Sequence, residues 1–293
     1  MKSGFVSIVG RPNAGKSTLI NSIVKEKIAI ISNKPQTTRN LIQGIYNEED
    51  TQIIFVDTPG IHKPVNKLGQ KLNNSAYYSM TDVDIVLYLV DASVNYGSGD
   101  AFIIDVLKNF TKPVFLVLNK IDLLTNDKIL LKINEYKDLY NFAEIVPISA
   151  EKSDNINKLI EVLKSYLPEN VKFFPDGEIT SSSLEFRISE IVREKVFQLT
   201  DEEIPYSVTC DVTHYEEKEK IIKMDVDIII DRESLKKIII GKKGSKLKEI
   251  GIRSRSELET LFGKQVYLEL YVRTLKKWRD KEKYLETLGF NEK

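Results

Sequence analysis

The sequence predicts two domains of different class: an α/β first half, a mostly parallel sheet with helices on both faces, and an α+β second half. Three observations carry this. Through residues 1–168, short apolar runs alternate with helix-period segments, the order that builds a parallel sheet covered on both sides. Beyond residue 183 the order becomes a helix, two consecutive strands, two helices and a strand, which is α+β. Between the halves, residues 169–183 hold Pro175, Gly177 and Ser181-Ser182-Ser183, the composition of a linker. The resulting division is 1–168, a linker 169–183, and 184–293, and 293 residues suit two domains of about 150 each.

In the first half the apolar runs are 5–9, 42–46, 52–56, 85–90, 113–118 and 143–148, and helical patterns occupy about 66–80, 99–109, 127–139 and 155–166. Runs 42–46 and 52–56, joined by Asn47-Glu48-Glu49-Asp50, read as an antiparallel hairpin within the sheet. In the second half a helix (184–199) precedes strands at about 206–215 and 220–230. A short helix (233–239), a glycine loop, a helix (245–262), a strand (265–272) and a closing helix (274–288) follow.

Composition excludes several classes. Lys+Arg and Asp+Glu both number 43, so any charged partner must be read from local clusters. With one cysteine, Cys210, and two histidines, His62 and His214, neither a disulfide framework nor a Cys/His metal site can be built. The N-terminus runs straight into a strand, leaving no room for a signal peptide, and no apolar run approaches the ~20 residues of a membrane span. A cytoplasmic, monomeric protein is expected.

Gly10-Arg11-Pro12-Asn13-Ala14-Gly15-Lys16-Ser17 is a G-x-x-x-x-G-K-[ST] phosphate loop between the strand Phe5–Val9 and the helical run that begins at Thr18. Its glycines let backbone N–H groups face phosphate oxygens, and the helix adds its positive end. Lys16 would reach the β- and γ-phosphates and Ser17 would offer its hydroxyl to Mg²⁺. Asp57-Thr58-Pro59-Gly60 ends the next strand: Asp57 can hold Mg²⁺, usually through water, and Gly60 can bring its N–H to the γ-phosphate. Asn119-Lys120-Ile121-Asp122 ends another. Asp122 accepts two hydrogen bonds, matching the N1–H and 2-amino donors of guanine, a pair that adenine lacks. Asn119 would tie this loop to the phosphate loop, the Lys120 stem would lie along the base, and Ser149-Ala150 would place an N–H near guanine O6. Each fragment alone is weak; in this order, at these strand ends, they specify GTP.

In the second half, Ile240-Gly241-Lys242-Lys243-Gly244 sits between two short helical patterns, with Lys246 close behind. This Gly-x-x-Gly is the KH pattern, in which the loop clamps about four nucleotides of single-stranded nucleic acid. From Arg232 to Arg255 nine Lys/Arg face two acids, a local basic footprint in a balanced chain. The element order resembles the type II KH topology, with Ile240 and the apolar residues of the next helix as the floor for bases. Trp278 and Phe290 in the closing segment invite base stacking or membrane contact, but packing of the last helix onto the sheet is the expectation.

Together with Thr37-Thr38, the first-half motifs look like a small GTPase of the translation-factor class. The phrases GRPNAGKSTLIN, KPQTTRN and FVDTPGIHKP resemble the Era family of bacterial GTPases, and the domain order matches that family end to end. The resemblance implies that Thr38, with Thr37 adjacent and not separable from it, closes on Mg²⁺ in the loop 32–40. Lys16, Thr38 and Gly60 would then be the catalytic groups. It implies a ribosome-assembly role on the small ribosomal subunit, with the KH loop on the single-stranded 3′ end of its RNA and GTP/GDP state as the switch. The alternative is a GTPase acting on a protein or at the inner face of the cell membrane, with the KH fold as scaffold. Ile61 stands where Ras-type enzymes place a water-orienting glutamine, so hydrolysis should be slow. Asn13 matches a position that helps bind K⁺ in related GTPases lacking that glutamine; the plainer reading is a loop-shaping residue.

Overall fold

The computed structural model describes residues 1–32, 34, 37–60, 64, 66–201 and 204–290. The chain forms two compact units, one chiefly Met1–Pro64 with Gly69–Ser181, the other chiefly Ser182–Asn291.

The first unit contains β1 (Lys2–Gly10), α1 (Lys16–Val24), β2 (Ile42–Glu48), β3 (Thr51–Asp57), α2 (Lys67–Thr81), β4 (Ile85–Asp91), α3 (Ser98–Leu107), β5 (Val114–Asn119), α4 (Asn126–Tyr136), β6 (Glu144–Pro147) and α5 (Ile156–Tyr166). Its six strands lie in the order β2-β3-β1-β4-β5-β6, all parallel except β2, which pairs antiparallel with β3 as the hairpin reading expects. β3 and β5 are buried at every residue because both sheet faces are covered, which is why Ile53–Val56 and Val114–Leu118 are unbroken apolar runs. Parallel register brings the carboxyl ends of β1, β3, β4 and β5 to one edge: Ile8 lies opposite Asp57, Gly10 opposite Leu89, and Asp91 opposite Asn119. That edge is where an open α/β sheet places its ligand.

The segment after α5 is fastened to the sheet. The Gln52 carboxamide accepts from the Phe173 and Phe174 N–H groups and donates to the Phe174 carbonyl. The Ile45 N–H donates to Ile179, Ser181 Oγ donates to Gln43, and the Phe173 ring meets Phe5 edge-on.

The second unit contains α6 (Leu184–Leu199), α7 (Ile204–Ser207), β7 (Val208–Glu217), β8 (Ile221–Ile230), α8 (Glu233–Ile240), α9 (Ser245–Phe262), β9 (Gln265–Thr274) and α10 (Glu282–Thr287). β8 is central, antiparallel to β7 and parallel to β9. Its alternate residues Ile222, Met224, Val226, Ile228 and Ile230 join Ile188, Val192 and Val196 of α6, Leu235 and Ile239 of α8, and Ile250 and Leu258 of α9 in one core.

Two element readings are corrected. The strand read from residue 206 starts at Val208, because Pro205 cannot donate to a ladder and a turn of helix forms instead, with Ser207 Oγ bonded to the Ile204 carbonyl. The closing helix is shorter than the span 274–288. β9 runs to Thr274, Leu275 N–H still bonds Ile230, Lys277 turns left-handed at φ +55°, a single 3₁₀ turn spans Trp278–Asp280, and α-helix begins only at Glu282.

Candidate nucleotide site and nucleic-acid interface

At the carboxyl edge of the first sheet lies a cleft of about 910 Å³, lined by Arg11–Thr18, Ser32, Thr37, Thr38, Gly60, Asp91, Asp100, Lys120 and Glu151 among others. Gly15 caps α1 at φ +97°, and a Cβ there would overlap the Asn119 carboxamide. The first turn of α1 holds no acidic residue and no side chain caps it, so its N–H groups are left for an anion. Asn13 takes φ +65° at the exposed tip of the loop.

Lys16 is buried, its Nζ resting 3.4 Å from the Gly10 carbonyl and 3.2 Å from that of Arg11. Burial pulls its pKa below the ordinary lysine value, with the Asp57 carboxylate opposing. Ser17 Oγ donates to Asp57 Oδ2 at 2.6 Å and lies 2.9 Å from Thr38 Oγ1, which is 3.3 Å from the same Oδ2. Asp57 is fully buried and its Oδ1 has no hydrogen-bond partner. Burial drives its carboxyl pKa up, against Lys16, the Ser17 and Thr38 hydroxyls and the Thr58 N–H. A desolvated carboxylate oxygen beside two hydroxyls fits a hard cation that takes oxygen ligands. Thr37 turns away, donating to the Lys34 carbonyl at 2.6 Å.

Thr58 Oγ1 is tied to the Ile8 carbonyl, Pro59 is buried, and Gly60 lies so close to the phosphate loop that a Cβ would sit 3.0 Å from Pro12. On the base side, Asn119 Nδ2 donates to the Ala14 carbonyl at 2.8 Å, and its Oδ1 accepts the Ala150 N–H at 2.9 Å. The Ile121 N–H bonds the Ile148 carbonyl, and Ser149 Oγ donates to Asp122 Oδ1 at 2.5 Å. Lys120 takes φ +65° and its Nζ lies 2.5 Å from Asp91 Oδ2. Thus the sequence-predicted residues from Gly10 to Ala150 converge, apart from Ile61, which together with His62 lies outside the described residues.

Sequence reasoning missed two carboxylates here. Asp91 ends β4 directly opposite Asn119 and binds Lys120, so its position at a strand end beside the guanine loop was the signal. Asp100, buried in the first turn of α3, takes the Arg11 guanidinium, the Tyr88 hydroxyl and the Gly97 N–H. Its signal was an acid three residues beyond a glycine helix cap.

In the second unit Gly241 takes φ +75°, and a Cβ there would lie 2.8 Å from that of Lys246. A single turn, Lys242–Gly244, exposes both lysines before α9 begins. A groove of about 510 Å³ runs from Gly244 between Leu247, Lys248, Gly251, Ile252 and Arg255 of α9 and Val266–Leu268 and Leu270 of β9. Ile240, read as part of the floor, packs against the core, and the apolar floor comes from α9 and β9. Trp278 is buried, its indole N–H donating to Ser207 at 2.9 Å and its ring stacked on Phe290. Neither aromatic is available to bases or lipid. Among the described residues no helix is long and apolar enough to cross a membrane, and no cluster of three or more His, Cys, Asp or Glu could hold a metal.

This geometry defines a P-loop GTPase joined to a KH domain. Two family models agree: one described as 50S ribosome-binding GTPase matches residues 5–120, and one for the KH domain matches residues 203–279. Among solved structures, Era in complex with MgGDPNP and nucleotides 1506–1542 of 16S ribosomal RNA is 41% identical at a TM-score of 0.96, with all of both chains covered. A single-residue variant of Aquifex aeolicus Era bound to GDP·AlF4⁻ is 40% identical at 0.95, again over both whole chains. The chain belongs to the Era family and is a guanine-nucleotide-binding GTPase.

Proposed function

We propose that this protein uses GTP state to control its grip on the single-stranded 3′ end of small-subunit ribosomal RNA during assembly of that subunit. Residues 1–168 act as the GTPase part, 169–183 as the join and 184–293 as the RNA-binding part. The observation that carries the GTPase half is the meeting of Ser17, Thr38 and Asp57 oxygens beside Lys16, drawn from three separate segments.

Ser17, Thr38 and Asp57 would hold Mg²⁺, with Asp57 through water; the ion supplies positive charge to the β- and γ-phosphates. Thr38, and not Thr37, fills the switch role because only its hydroxyl joins that cluster. Lys16, released from the Gly10 and Arg11 carbonyls, neutralises the same oxygens, and the loop and Gly60 N–H groups fix the γ-phosphate. With no glutamine after Gly60, turnover rests on positioning and charge and is slow. Asn13 supports a K⁺-stimulated reaction. On the base side, Asp122 selects guanine, Ser149 orients its carboxylate, and Asn119 locks both loops together.

The RNA half rests on the glycine turn, its two exposed lysines and the adjoining apolar groove. Thr38, engaged by GTP and Mg²⁺, lies just before β2, the strand to which residues 179–181 are bonded, a route from the switch to the join.

GTP turnover with Mg²⁺, in KCl and in NaCl, tests the reaction. Slow, Mg²⁺-dependent hydrolysis, faster in KCl, is expected. Equal rates in the two salts would remove the K⁺ role, and no Mg²⁺-dependent turnover would overturn the GTPase site.

A further inference from the structure

The β7-β8-β9 sheet has a second face, opposite its core, and its charge pattern works against the sheet itself. On that face Asp211 of β7 lies directly across from Asp227 of β8, and Asp225 of β8 directly across from Glu269 of β9. Like charges on directly opposed strand positions destabilise a sheet. Five acids on the face (Asp211, Glu216, Asp225, Asp227 and Glu269) meet Lys223, Arg273 and one histidine, His214, across from Asp225, and Arg273 is engaged with Asp227 at 2.8 Å. Asp227 is itself buried, with Oδ1 lacking any hydrogen-bond partner.

Beside these carboxylates stand two aromatic rings. Tyr267 and Tyr271 are 51% and 45% exposed, and both hydroxyls donate to Glu269, one to each oxygen. Glu269 therefore fixes the two rings in place before any partner arrives, which lowers the ordering cost of a contact. Local repulsion kept beside pre-positioned exposed aromatics is the pattern of a surface shaped for binding.

We infer that this face of the KH sheet docks an Arg/Lys-rich segment of a partner protein. Arginine fits it best, because one guanidinium can pair with a carboxylate and lie on a tyrosine ring. Nucleic acid does not fit, since phosphates would meet the same carboxylates that already repel one another. The docking face and the basic RNA groove have opposite charge, so the domain can hold RNA and a cationic protein together.

The full-length protein with GDP is titrated with a short fluorescein-labelled Arg-rich peptide, read by anisotropy, and separately with single-stranded RNA. Asp211→Asn/Asp225→Asn is expected to weaken the peptide about tenfold, leave RNA affinity unchanged and raise the melting temperature as repulsion is relieved. Tyr271→Ala should weaken the peptide with no gain in melting temperature. Equal peptide affinity in the Asp double variant would overturn the inference. Unchanged peptide affinity in Tyr271→Ala would overturn the part given to the tyrosine rings.

Discussion

Arg11, in the phosphate loop, donates to Asp100, in the first turn of α3, at 2.9 Å, and Asp100 is only 2% exposed. The rim of the nucleotide cleft is thereby anchored to a buried carboxylate that Tyr88 and the Gly97 N–H also hold. Asp100→Asn should weaken both GTP and GDP binding. In a double-mutant cycle with Arg11→Ala the two changes should couple by about 0.5–3 kcal/mol. Additive losses would mean that Asp100 acts on the fold and not through Arg11.

Asn119 joins the two loops of the site through one side chain, to the Ala14 carbonyl and from the Ala150 N–H. Asn119→Ala leaves the buried Ala150 N–H without its acceptor, a loss of about 1–3 kcal/mol. GTP and GDP affinity should fall together by tenfold or more on the scale of about 1.4 kcal/mol per decade, measured by equilibrium binding.

Asp122→Asn replaces one acceptor by a donor. Guanine then loses the partner of its 2-amino group, while xanthine, with a carbonyl at that position, gains one. GTP affinity should fall by about two decades or more and xanthosine triphosphate should become the preferred nucleotide. Competition binding with the two nucleotides measures the exchange.

The Lys120–Asp91 pair gives a pH prediction. Burial works to raise the Asp91 carboxyl, but Lys120 and the Ser93 hydroxyl and N–H outweigh it, so the pKa is lowered. A lowered carboxyl contributes stability that is present above its unfolded value, about pH 4, and lost as pH falls through the lowered folded value. The melting-temperature gap between the parent and Asp91→Asn should therefore be flat from neutral pH down to about 5 and close only in stronger acid.

Much of the site was legible because its residues occupy positions that a sheet fixes. Gly10, Asp57 and Asn119 each end an apolar run, and parallel register brings such ends together. Asp91 and Asp100 escaped notice because nothing in their local sequence names their partners: Lys120 and Arg11 meet them only through strand order and the packing of α3. The choice between Thr37 and Thr38 needed side-chain direction, which adjacency in sequence does not supply. In the second half the glycine turn and the share of α9 in the groove floor were readable, but the share of β9 was not. Leu247 and Ile252 of α9 form that floor with Val266, Leu268 and Leu270 of β9, while Ile240 packs against the core. The end of the chain misled because its amphipathic pattern runs on past Thr274, whereas backbone pairing to Ile230 carries the strand register on to Leu275 and the left-handed Lys277 leaves only a 3₁₀ turn before α10.

The most direct test is the affinity of the full-length protein for a single-stranded RNA matching the 3′ tail of small-subunit ribosomal RNA. It is measured with a non-hydrolysable GTP analogue and with GDP, in the parent and in Lys242→Ala/Lys243→Ala. Binding that is tighter with the GTP analogue, and lost in the lysine variant, is the expected result. Equal affinity in the two nucleotide states, or binding that survives loss of both lysines, would contradict a nucleotide-switched RNA clamp at Gly241–Gly244.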